Sequence, residues 1–412
     1  MVFGVRNTRF GFYQGIKFCI TYICVMNTLF KGRLLRAGFV VFFSGVIIIT
    51  ACNLLRSAAD NEWTLHTTEF KPALFTDDHV SEGFLAPLDD GRIMLLFRLD
   101  PGVEGSHVGT NGYIAKITYD PGRDKWSEVE TVYNSHRYDD RNIHGGVTSE
   151  GRIVMFFRRY IPDGRITEGR YFIYSDDNGE TWSDLQTSSA MFGIPGTGQM
   201  FYNPDIGKYS TMEYLRGKNG ILFSDDGSVW EESALVAEDQ DVALTEIAGA
   251  WCGNDRIIAL IRDDNREQGH PLLQVESHNN GQTWSQPLQT NIPPEKQWGC
   301  APQLIYDSMR DLMIVINSDR YSRPDEQNSL FIYTARPDNV IGNPENWTLQ
   351  YELLRPWARG DFDGDRPLNQ NLYGYPTIAP INDREYLVVF TERNRMHGTE
   401  QADLYYFRLI FD

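Results

Sequence analysis

The sequence makes the same short turn three times, about fifty residues apart. The copies read SDDNGETW at 175–182, SDDGSVW at 224–230 and SHNNGQTW at 277–284. Each copy follows a short apolar run and ends in Trp, and its Asp, Asn and Gly residues favour a tight turn. A repeat of this period predicts a fold in which one supersecondary unit is stacked several times.

Each turn also has a constant context, because a strand, a polar turn and a second apolar strand precede it. Residues 145–160, GGVTSEGRIVMFFRRY, show this pattern well. Five such units end in a Trp, at positions 126, 182, 230, 284 and 347. Repeated four-stranded units of this kind predict an all-β fold, a β-propeller of antiparallel blades arranged radially.

The last unit is incomplete. It begins at residue 374 and has only three strand-like runs before the chain ends. The stretch NEWTLHTTEF at 61–70 is similar to ENWTLQYELL at 345–354, which closes unit five. We therefore expect six blades over residues 62–412, with an N-terminal strand that completes the sixth blade and closes the ring.

The N-terminal region has a different composition. Residues 1–51 contain six basic residues and no Asp or Glu, whereas the whole chain has a formal net charge of -18. A body this acidic disfavours nucleic acid as a partner. The thirteen-residue apolar run from Ala37 to Ile49 is too short for a membrane span of roughly 20 residues but suits an export signal.

That apolar run leads into ITAC, which ends at Cys52. The motif resembles the bacterial lipobox, in which the Cys carries the lipid. We therefore expect a leader over 1–51, with Met26 as an alternative start, and a tether over 52–61. The body is expected to be exported as a monomer and attached by lipid to the membrane of the bacterial cell envelope.

The repeated turn resembles the Asp-box, S-x-D-x-G-x-x-W, of the sialidase superfamily. The resemblance covers residues 62–412, although the second copy is one residue short and the third has Asn279 in place of Asp. It implies a propeller whose Asp-boxes are structural turns on the face opposite the functional site. The site is then expected just before the first strand and just after the second strand of each blade.

Arginines recur after the second strands. They are Arg98, Arg158, Arg159, Arg216, Arg262, Arg320 and Arg393. Guanidinium groups bind carboxylates in a bidentate manner, so this recurrence predicts a cationic pocket. The expected ligand is an anionic oligosaccharide or polysaccharide that contains a sialic acid, a uronic acid or a sulfated sugar.

Polar residues also precede the first strands. DDRNIHGG brings Asp140, Arg141 and His144, LTEIAG brings Glu246, and NLYGYPTI brings Tyr373 and Tyr375. The resemblance to sialidases implies that Tyr375 is the nucleophile, that Glu246 takes its proton, and that Arg262 and Arg320 bind a carboxylate.

Two departures from the family pattern concern blade one. The family's first arginine is missing from residues 79–91, and Arg98 and Arg141 are the candidates to replace it. The acid–base aspartate is missing from residues 99–112, where Asp100, Glu104 and His107 are the alternatives. The candidate catalytic residues are Tyr375, Glu246, Asp140 and His107. The candidate substrate-binding residues are Arg98, Arg141, Arg159, Arg262, Arg320, Tyr373 and His144.

Three functions fit this pattern. The first is an exo-acting glycoside hydrolase of sialidase type, the second is a carbohydrate-binding propeller without catalysis, and the third is a polysaccharide lyase that uses His107 or His144 as base. No cofactor is expected. The loop RGDFDGDR at 359–366 has Asp residues at calcium-loop spacing, but position 372 is Leu where such a loop has Glu, so no metal is expected either.

Overall fold

The computed structural model describes residues 63–102, 106–239, 241–265, 270–294, 298–319, 329–353, 371–394 and 401–412, without the side chains of 371–373 and 393–394. The chain divides into a unit Met1–Thr64 and a unit Leu65–Asp412. Residues 63 and 64 are the described part of the first unit. The predicted leader, Cys52 and the tether lie outside the described residues.

The second unit is built from antiparallel strands that pair with their neighbours in sequence. Group 1 contains β3 (His79–Pro87), β4 (Ile93–Asp100), β5 (Tyr113–Asp120), β6 (Lys125–Trp126) and β7 (Glu130–Tyr133). Group 2 contains β8 (Asp139–Val147), β9 (Ile153–Ile161) and β10 (Ile166–Ser175). Group 3 contains β11 (Ile194–Pro195), β12 (Phe201–Asn203), β13 (Lys208–Leu215), β14 (Lys218–Ser224) and β15 (Glu232–Glu238).

The remaining strands form three further groups. Group 4 contains β16 (Leu244–Trp251), β17 (Ile257–Asp263), β18 (Leu273–Ser277) and β19 (Leu288–Gln289). Group 5 contains β20 (Gly299–Asp307), β21 (Leu312–Asp319), β22 (Leu330–Ala335) and β23 (Thr348–Leu353). Group 6 contains β24 (Asn371–Asn382), β25 (Glu385–Asn394) and β26 (Ala402–Phe411), with which β1 (Leu65–Thr67) and β2 (Lys71–Leu74) pair.

Helices contribute little to the described part of the chain, where they are a 3-10 turn at Asp163–Arg165 and α1 at Pro337–Val340. No helix of that part has the length and apolar character to span a membrane. The expectation of an all-β fold is therefore confirmed, and the several four-stranded antiparallel sheets fit a propeller.

The ends of the second unit meet in group 6. Strand β1 pairs with β26 through Leu65 and Phe411, and β2 pairs with β26 through Lys71 and Tyr406. Consecutive groups also contact one another through their first strands, and in group 3 through both β11 and β13: β3 contacts β8, β8 contacts β11, β13 contacts β16, β16 contacts β20, β20 contacts β24, and β24 contacts β3. This arrangement is the one expected of a closed ring. The count of six blades and the closure stay predictions, which are taken up in the Discussion.

Apolar cores lie between neighbouring groups. Buried side chains of groups 1 and 2 form one cluster around Phe84 and Phe157, and those of groups 4 and 5 form another around Leu260 and Val315. The second strands are buried on both faces and read as continuous apolar runs, as in Leu312–Asp319, where every residue is buried. The polar residues of interest therefore lie where these apolar runs end.

The three Asp-boxes have the structural role that the resemblance implies. In the first box, the backbone N–H of Gly179 donates to Ser175 Oγ at 2.9 Å and that of Thr181 donates to Asp177 Oδ1 at 2.8 Å. In the third box, the N–H of Thr283 donates to Asn279 Oδ1 at 2.9 Å. An amide oxygen thus replaces the carboxylate oxygen without loss of the turn.

Candidate functional site

The first strands of five groups share a β-bulge near their beginning. In each of these strands, one stretch contains one residue more than the stretch of the second strand that it faces. The stretches are Ser81–Gly83 in β3, Arg141–His144 in β8, Leu244–Ile247 in β16, Cys300–Gln303 in β20 and Gly374–Thr377 in β24. Four residues in these bulges have positive φ: Glu82 at 48°, Asn142 at 55°, Ala301 at 46° and Tyr375 at 47°. A bulge changes the direction of the side chain of its extra residue. The side chains at these four positions therefore depart from the regular alternation between the two faces of a strand.

A small cavity, open to solvent on one side, lies at the level of these bulges. Its lining includes Glu82, Asn142 and Tyr375 from the bulges, together with Thr197 and Gln303. This is the end of the first strands at which the sequence predicted the site. We refer to this cavity as the central pocket.

The floor of the central pocket is a short segment of group 3, Gly196–Gln199. The backbone N–H of Thr197 donates to Ile247 O at 2.9 Å, and its hydroxyl donates to Pro302 O at 2.9 Å. The side chain of Gln199 donates to Thr377 Oγ1 at 3.1 Å. One segment thus hydrogen-bonds the first strands of groups 4, 5 and 6 and closes the pocket from below.

Tyr375 of the central pocket lies against His107. Tyr375 Oη lies 3.3 Å from His107 Nε2, and the two rings stack with their centroids 5.7 Å apart. His107 belongs to the loop between β4 and β5, so two distant segments supply the pair. The structure therefore brings together two of the four candidate catalytic residues.

Glu246 is anchored in the neighbouring sector. Its Oε1 lies 3.0 Å from Arg262 Nη1, and its Oε2 accepts the backbone N–H of Ala301 at 2.8 Å. The Arg262 guanidinium also contacts Asp264 at 2.5 Å and lies over the ring of Trp298 at 5.1 Å. Arg262 is therefore held between two carboxylates.

Tyr214, on β13, was missed by the sequence analysis and connects the two sectors. Burial raises its pKa, and the negative charge of Glu246 and an ionised Tyr375 raise it further. Tyr214 therefore lies in the electrostatic field of both residues. In the sequence, the only feature that marks Tyr214 is its place two residues before Arg216.

Arg98 and Arg141 belong to a buried row of alternating charges, which we call the charge chain. It consists of Asp100, Arg98, Asp139, Arg141 and Glu82, whose consecutive ion pairs measure 3.4, 2.7, 3.5 and 2.8 Å. All five residues are buried. Both arginines of the charge chain are thus compensated by carboxylates, whereas the cationic pocket expected from the recurrence of Arg stays a prediction.

The charge chain ends in the pocket at Glu82. Burial would raise the pKa of Glu82, but the charges of Arg141 and Arg98 outweigh burial and lower that pKa. Burial raises the pKa of Asp139, although both arginines oppose it. Close packing is needed here, since a Cβ on Gly112 would lie 2.0 Å from Asp139 Oδ1.

Arg158 and Arg159 alternate along β9 and lie in different surroundings. Arg158 Nε donates to Asn142 Oδ1 at 2.7 Å, and its Nη1 donates to Thr167 Oγ1 at 3.0 Å. Burial and the neighbouring Arg141 lower the pKa of Arg158. The guanidinium of Arg159 instead lies over Tyr171 at 4.6 Å. Of these two arginines, Arg158 is therefore the one that contacts a residue of the central pocket.

Asp140 and His144 are buried away from the residues that line the central pocket. Asp140 Oδ2 accepts the backbone N–H of Ser135 at 2.8 Å, and burial raises its pKa to about 6. His144 Nε2 contacts the hydroxyl of Thr211, and burial lowers its pKa to about 3. His144 lines a separate cavity of about 180 Å³ between groups 2 and 3.

Some predicted residues fall outside the described part of the structure. These are Glu104, Arg320, the side chains of Tyr373 and Arg393, and the loop 359–366. The sequence analysis did not select Glu82, Thr197 or Gln303 as site residues. The sequence did contain a signal for Glu82, because the polar stretch SEG at 81–83 stands before an apolar run, just as DDRN at 139–142 does.

The sequence matches the BNR repeat-like domain family over residues 113–384. The chain belongs to this family. A search of curated proteins found no match.

Several solved structures share the fold of this BNR-repeat chain. A protein of unknown function from Dyadobacter fermentans has a TM-score of 0.68 and 16% identity, over 84% of this chain and 99% of that chain. The NanB sialidase of Streptococcus pneumoniae has a TM-score of 0.58 and 12% identity, over 83% of this chain and 70% of that chain. The intramolecular trans-sialidase of Ruminococcus gnavus has a TM-score of 0.57 and 13% identity, over 81% of this chain and 94% of that chain. The fold is that of sialidases, and the sequence diverges from theirs.

Proposed function

We propose that this BNR-repeat protein is an exo-acting glycoside hydrolase of sialidase type, which removes a terminal sugar from a glycan. The observation that carries the proposal is the distance of 3.3 Å between Tyr375 Oη and His107 Nε2, because Tyr375 lines the central pocket. A phenol has a pKa of about 10 and needs a neighbouring base to act as a nucleophile near neutral pH. His107 is in position to be that base.

In the proposed reaction, Tyr375 Oη attacks the anomeric carbon while the bond from that carbon to the glycosidic oxygen breaks. The phenolic proton passes to His107, which then protonates the departing oxygen. Water next attacks the anomeric carbon of the glycosyl–tyrosine and gives its proton to His107 while the bond to Tyr375 Oη breaks. His107 returns this proton to the Tyr375 phenolate, which restores the starting state. Arg141 lies in the electrostatic field of Tyr375: burial lowers the pKa of Arg141, but the charges of Glu82, Asp139 and an ionised Tyr375 raise it above its usual value.

Exo action is proposed from the shape of the pocket. The segment Gly196–Gln199 closes the floor through hydrogen bonds to Pro302, Thr377 and Ile247. A pocket that is blocked on this side suits the end of a glycan chain better than its interior.

A polysaccharide lyase is the second candidate, and the same Tyr375–His107 pair favours it. One of the two groups would remove the proton next to a uronate carboxylate, and the other would protonate the leaving oxygen. A carbohydrate-binding protein without catalysis is the third possibility. It would use the same pocket and leave the glycan intact.

Mass spectrometry of the products from a panel of oligosaccharides distinguishes these functions. A hydrolase adds the mass of water, a lyase leaves an unsaturated sugar, and a binding protein leaves the substrate unchanged. Tyr375→Phe removes one oxygen and should lower turnover by at least about 10³-fold. Tyr202→Phe, at a side chain that is 46% exposed, is the matched control and should retain activity. Full activity of Tyr375→Phe would overturn the proposed mechanism.

We also propose that the protein acts outside the cytoplasm, attached to the envelope membrane through a lipid on Cys52. The support is the sequence alone: a basic flank, a thirteen-residue apolar run and the ITAC motif.

A further inference from the structure

Glu82 is the acidic residue of the pocket wall that groups 1 and 2 form. It lies at a bulge with φ of 48° and lines the central pocket. Two contacts hold its carboxylate in place, an ion pair of 2.8 Å with Arg141 and a hydrogen bond from the backbone N–H of Asn142. These two contacts therefore fix the position of the Glu82 carboxylate in the pocket wall.

The arginines behind Glu82 leave no excess of positive charge in the charge chain. Three carboxylates, of Asp100, Asp139 and Glu82, alternate with the guanidinium groups of Arg98 and Arg141. In the neighbouring sector, Arg262 lies between Glu246 and Asp264. Each of these three arginines already has carboxylate partners before any ligand arrives.

The wall offers donors and acceptors side by side. The Glu82 carboxylate only accepts hydrogen bonds, whereas the side-chain amide of Asn142 can both donate and accept them. A sugar hydroxyl can donate to Glu82 and accept from a neighbouring donor at the same time. A sugar carboxylate has no proton to donate and would meet a like charge at Glu82.

We propose that Glu82 makes the central pocket selective for an uncharged terminal sugar, whose hydroxyl groups bind the wall formed by Glu82 and Asn142. This inference rests on the proposed action on glycans and specifies its substrate class. It departs from the anionic sugar that the arginine pattern predicted, because the described arginines of the charge chain and Arg262 are compensated.

Binding of matched sugar pairs to the wild-type protein tests this selectivity. Isothermal titration calorimetry would compare glucose with glucuronic acid, galactose with galacturonic acid, and mannose with mannuronic acid. We expect at least one neutral sugar to bind about tenfold or more tightly than its acidic partner, since like charges at an interface are strongly disfavoured. Tighter binding of the acidic partner in every pair, or no binding by any sugar, would overturn the proposal.

Glu82→Gln should raise the affinity for the acidic partner by about tenfold or more and reduce the discrimination. Glu130→Gln, which makes the same charge change at a side chain that is 62% exposed, should leave the discrimination unchanged. If Glu82→Gln is poorly folded, Asn142→Asp adds a carboxylate to the same wall and should widen the discrimination. An equal effect of Glu82→Gln on both partners contradicts the role of Glu82.

These measurements separate the two proposals. Monosaccharide binding needs no nucleophile, so Tyr375→Phe should retain the preference for the neutral sugar even though it loses turnover. If the protein shows no turnover but binds the neutral sugar preferentially, the catalytic proposal is wrong and the central pocket is a selective binding site. Normal glycan turnover with a preference for acidic sugars would overturn the selectivity alone.

Discussion

Tyr375 Oη and His107 Nε2 lie 3.3 Å apart, although 268 residues separate the two in sequence. Tyr375 stands on a bulge of β24, with φ of 47°. His107 stands on the loop that follows β4, and β24 packs against β3. The reactive pair therefore depends on the contact between the last and the first strand groups of the second unit.

His107→Phe should keep the stacked ring contact with Tyr375 and remove the proton partner. We expect turnover to fall by about 10²-fold or more, the contribution commonly made by a general acid or base. One limb of the pH dependence of kcat/KM should disappear, which a purely structural role would not cause. His278→Phe, at a side chain that is 60% exposed, is the control. An unchanged pH profile for His107→Phe would contradict the role of His107.

Gly198→Ala should disturb the floor of the pocket. A Cβ on Gly198 would lie 2.6 Å from Ala248 Cα, so the floor segment must move away from β16. Overpacking of this kind costs about 1–3 kcal/mol, which chemical denaturation would measure. Gly122→Ala is the matched control, because its Cβ would meet nothing nearer than Asp120 Oδ1 at 3.4 Å. Equal stability of the two variants would show that the floor segment is not closely packed.

Glu213 should make the stability of the protein depend on pH. Burial raises the pKa of Glu213 to about 7, from about 4.5 for an exposed glutamate, although Glu213 accepts the backbone N–H of Gly193 at 2.9 Å. Because the folded-state pKa is raised, the stabilising contribution is complete below about 4.5 and is lost as the pH rises through about 7.

Glu213→Gln should therefore stabilise the protein at pH 8 and have little effect near pH 4.5. The expected gain is about 2 kcal/mol, measured as the free energy of unfolding at both pH values. Glu232→Gln, at a side chain that is 64% exposed, serves as the control. A destabilised Glu213→Gln at pH 8 would mean that the ionised carboxylate is favoured by its surroundings.

Closure by the N-terminal strands can be tested by truncation. Strands β1 and β2 both pair with β26, so their loss would expose the edge of that strand. Deletion of residues 53–72 should prevent stable folding or strongly lower the melting temperature. Deletion of 53–62 removes the predicted tether but leaves β1 and should have little effect. Equal melting temperatures for the two deletions would rule out closure by these strands.

The lipid anchor is tested by Cys52→Ser. Serine cannot form the thioether to lipid, so the variant should leave the membrane fraction or remain unprocessed. Membrane fractionation and the mass of the intact protein are the two measurements. Ser57→Ala, in the predicted tether, is the control. An unchanged fraction and mass for Cys52→Ser would disprove lipidation at this residue.

Much of the fold was readable from local patterns. The turn and Trp of each Asp-box predicted the repeated unit because a tight turn needs particular residues at particular places. The third box keeps its hydrogen bond through Asn279, so one changed residue did not hide the repeat. Tyr375 and His107 were both selected from the sequence, since polar and aromatic residues at the ends of buried strands are seldom needed for packing.

The partners of the charged residues were not readable in this way. The recurrence of Arg predicted a cationic pocket, but Arg98 and Arg141 each lie between two carboxylates. Ion pairing depends on distances between side chains of different strands, and no sequence pattern records these distances. His144 was likewise selected by its position but lies buried against Thr211, where burial lowers its pKa to about 3.

The sequence by itself determined the repeated antiparallel unit, because turn residues and apolar alternation act over a few residues and leave a local record. Only the tertiary structure decided which residues share the central pocket. The bulges that aim Glu82, Asn142 and Tyr375 into it arise from pairing between strands. The charge of that pocket is a sum over several strand groups, and this sum exists only once the groups are packed together.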